Sequence, residues 1–428
     1  MVYSIAGISV FCLILFFIAQ GLGLTMPIYT PALFAWLAAG LLFHKVTGQQ
    51  RLQVIVITLL GGIGITWGII QGEMTNLTKA IYTNQGLLAM LASVSFLRLI
   101  TQTGVAGDEI LPTGKRALKQ TLLGSHLFST VINMSTVVIV GDRLKQQAAG
   151  LSHTQSIMLS RGFSTAAFWS PFFAAMAITV AYTGAELMTL VSLGLPLSII
   201  ALGMTLWDLH RHPEIDDFIG YPLHWEALAV PVMLATAVFS CHLLFPKLPI
   251  LIIISLFALS LTILLSWIRL RRHGLKKVQQ HILTGLPTMA GELNLFLAAG
   301  ILSTGIALIF QSSVHTLPSI EFGALQASLL ILIMLGLSVL GVHPVASVAT
   351  LGTVLTPVVE NVNLLGMCFL IVWSLGICSS PLSALSVTFQ SRYGAHPTSF
   401  LIWNGGYMLK MWVIASLWLA LYEFVITT

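Results

Sequence analysis

Apolar residues are gathered into about a dozen runs of some 18 to 24 residues, with the polar and charged positions collected in the short stretches between them. At 1.5 Å per residue, each run reaches across a hydrocarbon core of about 30 Å. The pattern predicts membrane-spanning helices over 3–22, 27–44, 52–70, 84–101, 155–181, 187–207, 227–245, 249–268, 286–310, 364–390 and 399–424, eleven in all. Two further apolar stretches, 121–141 and 325–359, remain, and their treatment sets the topology. Composition agrees with lipid as the solvent: 57% of the residues are hydrophobic and 8% charged, against roughly 25% charged in a soluble domain.

The net charge of +5 lies in the short connecting loops, which makes it a signal of sidedness and not a nucleic-acid face. Arg269, Arg271, Arg272, Lys276 and Lys277 form the heaviest basic loop and are placed in the cytoplasm. Counting from that anchor, the 208–226 loop is also cytoplasmic. Lys115, Arg116 and Lys119 on one side of 121–141 and Arg143 and Lys145 on the other put both of its ends inside. A segment that enters and leaves on one face is a re-entrant hairpin, and two arms of about ten residues reach about 15 Å, half the membrane. The 325–359 stretch has only Glu321 and Glu360 at its ends and reads as the outward-facing counterpart. This places the amino terminus in the cytoplasm and the carboxy terminus outside. The first run lacks a basic leader and a small-residue cleavage site, so it reads as a retained span. Cys12, Cys241, Cys368 and Cys378 all lie in apolar runs without paired spacing, which predicts neither disulfides nor a zinc site.

Two landmarks recur at one offset. Asn133–Thr136 (N-M-S-T) precedes Ser170 and Pro171 by 37 residues, and His343 with Pro344 precedes Ser380 and Pro381 by the same 37. An offset of 210 residues relates the pairs and also lays Ser164 on Ser374 and Ala174 on Ala384. With one hairpin opening inward and the other outward, the halves form an inverted-topology repeat, the architecture of secondary transporters with a site at the midplane.

Each half then places a proline behind small hydroxyl residues in mid-span, in S-R-G-F-S-T-A-A-F-W-S-P and in W-S-L-G-I-C-S-S-P. Proline removes a donor and clashes with the preceding turn, so both helices are predicted to break. Freed backbone groups at membrane depth are tolerated only against protein or a water-filled cavity, where they can meet an ion or solute. A simple proline kink satisfied by Ser and Thr is the plainer reading of either span alone. Asn133, Ser135 and Thr136 suit a tight turn as well as a ligand. His343 suits proton coupling, substrate contact or packing. Candidate substrate- or ion-binding residues are Asn133, Ser135, Thr136, Ser164, Thr165, Ser170, Pro171, His343, Pro344, Ser347, Ser374, Ser379, Ser380 and Pro381. Glu292 reads as a residue near the cytoplasmic boundary, Arg161 as a positive-inside anchor before an anion gate, and Lys410 as a snorkelling side chain. No hydrolase, metalloprotease, phosphate-loop or paired-carboxylate motif is present, so no enzyme is expected.

In layout the chain resembles the ion transporter superfamily, and within it the divalent anion/sodium symporter family. I-N-M-S-T at Ile132–Thr136 is similar to that family's hairpin-tip motif, and F-S-T-A-A-F-W-S-P at Phe163–Pro171 to its broken span. Cys378–Pro381 is the better match in the second half, where G-V-H-P-V-A-S keeps only the position. The pattern departs at Ile132 and His343, so neither dicarboxylate specificity nor sodium coupling is carried over. The resemblance implies an elevator-type homodimeric carrier without a cofactor. Asn133, Ser135 and Thr136 would contact a carboxylate or coupling ion, with Ser164, Thr165, Ser379 and Ser380 around them and a possible Na+ near Asn133 and Ser164.

The expectation is therefore an all-α protein of the cell or inner membrane with about eleven spans and two re-entrant hairpins. Residues 1–83 are expected as scaffold helices, 84–207 as the first repeat, 208–285 as linker helices with the basic loop, and 286–428 as the second repeat. Its expected task is Na+- or H+-coupled movement of a small organic anion, with membrane lipid around it and no nucleic-acid partner. Alternatives are a cation/proton antiporter of the same superfamily and a membrane-embedded flippase or enzyme for a lipid-linked substrate.

Overall fold

The computed structural model describes residues 2–46, 48–73, 77–101, 111–146, 150–213, 215–222, 229–313, 321–396 and 398–427. Among them the chain is all helical, with one isolated antiparallel bridge between Thr113 and Ile219. Among the described residues seven helical stretches are long and apolar enough to cross a membrane: Val2–Gly21, Gly48–Ile70, Lys79–Ile100, Leu187–His210, Ile250–Ser312, Val362–Tyr393 and Ser399–Ile426. The spans expected at 27–44 and 227–245 are shorter helices, Thr30–Leu42 and Ala229–Leu244. Proline at the first turn of Thr30–Leu42 starts that helix late, where its missing N–H costs nothing.

Two compact units interleave along the sequence. The first comprises Met1–Gln102, Val232–Pro318 and Ala349–Val358. Its seam is the pairing of Gly48–Ile70 with Ala290–Ser313, where a Cβ on Gly305 would lie 2.3 Å from the Gly61 carbonyl oxygen. Such an approach admits only glycine, and close backbone packing replaces the hydrophobic drive that lipid cannot supply. Buried Asn84 donates to the Phe296 carbonyl (2.7 Å) in the same unit. The basic segment expected as a loop is instead helical on both sides of a reversal at Arg271 (φ 50°). Gly274 leaves room for the Ser266 carbonyl as the chain folds back, and Leu275, Lys276, Lys277 and the glutamines beyond it, mostly strong helix formers, carry the second helix.

The second unit comprises Thr103–Pro231, Ser319–Val348 and Val359–Thr428. Gly114–Ile132 and Met134–Lys145 form a helical hairpin that turns on a single residue, Asn133. His153–Ser164 begins with a capping box of Ser152 and Gln155, passes into a 3-10 turn over Thr165–Phe168, breaks, and resumes as Ala174–Thr183. Val362–Ser379 breaks before Pro381 and resumes as Ala384–Tyr393. The resumed helices both run ten residues and both end on a left-handed glycine, Gly184 and Gly394. Nearly every side chain from Leu364 to Ser379 is buried, making this helix the centre of the unit. The Ala324–Val339, Ser399–Thr427 and Leu187–His210 helices all pack against it. Pro344–Leu355, the return arm of the 325–359 stretch, is divided between the units after Val348.

Candidate functional site

The second unit contains both helix breaks, and the hydrogen bonds at the two follow one scheme. At the first, Ser170 Oγ donates to the Thr130 carbonyl (2.5 Å) and accepts from Phe172 N–H (3.2 Å). At the second, Ser380 Oγ donates to the Ser338 carbonyl (2.6 Å) and accepts from Leu382 N–H (3.3 Å). Each serine precedes its proline and ties the break to the arm of a neighbouring helix. Buried backbone groups demand partners, and these hydroxyls supply them. The carbonyl four residues before Pro381 is that of Ile377, and Ser383 Oγ donates to it (2.7 Å).

The breaks are joined by a bond whose partners are 210 residues apart: Ser374 Oγ donates to the Ser164 carbonyl (2.8 Å). Ser164 Oγ is itself committed to the Arg161 carbonyl (3.3 Å) and Thr165 Oγ1 to the Gly162 carbonyl (3.0 Å). Ser379 is fully buried beside the Cys378 thiol.

Asn133 adopts φ 49°, a conformation uncommon outside glycine and one that asparagine tolerates better than most residues. Its side-chain amide donates to the Phe172 carbonyl (3.1 Å), which fastens the hairpin tip directly to the first break, next to Pro171. Ser135 is half-buried beside it. Thr136 is buried, and its hydroxyl has no hydrogen-bond partner. Ser125 and Ser129 are in the same condition, one turn apart on the incoming arm. A Cβ on Gly162 would touch the Ser125 side chain, so that face of the arm lies against the first broken helix.

His343 closes its turn locally: Nδ1 accepts from Val345 N–H (3.1 Å), fixing the neutral ring with its proton on Nε2. Its ring meets Trp373 edge-on at 6.2 Å. Pro344 opens the following helix and Ser347 N–H bonds back to the His343 carbonyl (3.3 Å). No hydrogen bond among the described residues links Asn133 to His343.

One group at the site escaped sequence reasoning, as did the contacts of another. His126, on the incoming hairpin arm, accepts at Nε2 from Trp169 Nε1–H (3.3 Å) and donates from Nδ1 to Thr165 Oγ1 (3.0 Å). Both ring nitrogens are thus spent clamping the hairpin to the first break. A polar ring within an apolar arm was the available signal. Arg161, read from the sequence as a positive-inside anchor, has partners that the sequence did not reveal. Its side chain is 5% exposed and fully engaged, with Nε to Asn404 Oδ1 (2.9 Å), one terminal nitrogen to Asp208 (2.9 Å) and the other to the Trp403 carbonyl (3.0 Å). The Tyr407 ring lies 4.2 Å from the guanidinium carbon. Lys410 reaches the other Asp208 oxygen at 3.4 Å, an exposed pair compatible with the snorkelling expected of it.

Among the described residues no cluster of three or more His, Cys, Asp or Glu could hold a metal ion. Near the first break the hydroxyls of Ser125, Ser129 and Thr136 are buried without a hydrogen-bond partner, whereas the Ser164 hydroxyl donates to the Arg161 carbonyl and the Ser164 carbonyl accepts from Ser374.

No protein-family description matches the chain, and no curated protein is similar enough to register as a relative.

Proposed function

We propose that this chain is a secondary active transporter of a small anionic organic solute, coupled to Na+ or H+, with its substrate site at the two helix breaks of the second unit. The observation that carries the reading is the matched hydrogen bonding at the breaks. Ser170 and Ser380 perform the same two bonds at positions 210 residues apart, and Ser374 bonds to its own counterpart at that offset. Such correspondence is expected of an inverted-topology repeat and is not required by an ordinary proline kink.

Sidedness supports the same reading. Contacts inside the second unit pair segments that the charge distribution assigns to one face. Asp142 and Lys145 bond to Arg392, and Arg161 to Asp208 and Trp403, all on the cytoplasmic side. Glu186 N–H bonds to Asn363 and Ala324 N–H to Glu423, all on the outer side. Elevator-type alternating access fits a unit that holds both breaks and the first hairpin. With Arg161 engaged on every nitrogen, the anion is met by hydroxyls and backbone amides and not by a guanidinium.

A liposome uptake screen across organic anions, with imposed Na+ or H+ gradients, tests the proposal. Uptake of at least one anion should depend on a gradient and fall in Thr136→Val. Failure to move any anion, or unchanged uptake in the variant, rejects the site.

A further inference from the structure

The second helix break leaves one more carbonyl to account for. Leu382 N–H, which would have closed the helical bond to Cys378, goes to Ser380 Oγ instead. The Cys378 carbonyl is taken by Asn404 Nδ2 at 2.6 Å, a short bond from a fully buried side chain on another helix. Asn404 can donate in that direction only while its Oδ1 points the other way, toward Arg161 Nε at 2.9 Å. Arg161 is in turn fixed by Asp208, by the Trp403 carbonyl and by the face of Tyr407.

We propose that Arg161 is a positioning residue that acts through Asn404: by holding the amide in one orientation it keeps the second helix break closed at Cys378. The guanidinium sits on the first broken helix, three residues before Ser164, whose carbonyl receives the Ser374 hydroxyl. One side chain therefore joins the two breaks along a route distinct from the Ser374 bond. An amide has a donor end and an acceptor end, so it relays orientation in a way that a hydroxyl, free to rotate, does not. The ion pair with Asp208 is what allows the cation to remain buried, since an uncompensated charge at this depth is costly. Lys410 touches only the outer oxygen of Asp208 and lies outside the relay. The inference does not depend on what the protein carries.

Cys378 is a native reporter, with its thiol buried and bonded to the Leu375 carbonyl (3.3 Å). In full-length protein with Cys12, Cys241 and Cys368 replaced by Ala, the rate of N-ethylmaleimide labelling in native membranes measures opening of the break. Asn404→Leu is expected to raise that rate at least tenfold, and Lys410→Met to leave it within twofold of the parent. Arg161→Leu alone leaves Asp208 with only the exposed Lys410 as its partner and lowers thermal stability. Arg161→Leu combined with Asp208→Leu is expected to recover stability while labelling stays at least threefold fast, a separation that a purely structural role would not produce. Parental labelling in Asn404→Leu overturns the proposal. If that variant does not fold, the double variant decides, and slow labelling regained together with stability overturns it equally.

Discussion

Under the proposed function, replacing Thr136 by valine should raise stability and lower uptake at the same time. The hydroxyl is buried without a hydrogen-bond partner, on the return arm of a hairpin whose tip is bonded to the first helix break. A buried polar group left unpaired costs about 1–3 kcal/mol, and valine fills nearly the same volume without that penalty. A gain of about 1 kcal/mol is therefore expected, which for a chain of this size moves the melting midpoint upward on the order of 1 °C. Thr179 supplies the matched control, since its hydroxyl is also buried and partnerless but lies on the resumed helix, with its methyl facing Gly366. Thr179→Val should give a similar gain in stability and leave uptake untouched. Scanning fluorimetry in detergent reads the first quantity, and gradient-driven uptake in liposomes reads the second. A fall in melting temperature for Thr136→Val would show that its hydroxyl stabilises the fold. A rise with undiminished uptake would remove Thr136 from the site. Either result refutes the reasoning.

Three further outcomes follow from particular contacts. Asn133→Ala should destabilise more than Asn133→Gly, because both lose the bond to the Phe172 carbonyl but only alanine also bears the strain of φ 49°, about 1 kcal/mol or more; the two melting midpoints compare them directly. Gly305→Ala should destabilise by about 1–3 kcal/mol, since its methyl group would meet Gly61 backbone and not a movable side chain, and loss of monodisperse protein on gel filtration would register it. Arg392→Ala should change the melting midpoint little, the Arg392–Asp142 pair being roughly half exposed on both sides and worth at most about 1 kcal/mol.

Local features were legible wherever one residue type dictates the backbone. The helix ends at Asn133 because a short amide tolerates positive φ, and the helices stop before Pro171 and Pro381 because proline cannot continue them. The offset of 210 was visible in residues that the fold uses twice, Ser170 with Ser380 and Ala174 with Ala384. What stayed hidden depends on distant partners. Arg161 looks like any basic residue near a span's start until Asp208 and Asn404, 47 and 243 residues away, are brought to it. His126 needs Trp169 and Thr165 to become a clamp. The reversal at Arg271 was hidden for the opposite reason, because its local sequence favours helix and carries no turn residue at the point of reversal. The interleaving of the two units also has no local signature, since each collects segments from both halves of the chain.

The Ser374–Ser164 bond has an implication for energetics. In the repeat reading, these two residues are images of each other, so the bond lies close to the axis that would exchange the halves. A lone donor on such an axis cannot be shared evenly: Ser374 gives its hydroxyl to Ser164, whereas Ser164 gives its own to Arg161. The halves are thus unequal at the point where they would mirror each other. Under the proposed function, the inward- and outward-open forms would not be mirror images at this bond, and a resting preference for one of them is the expected consequence.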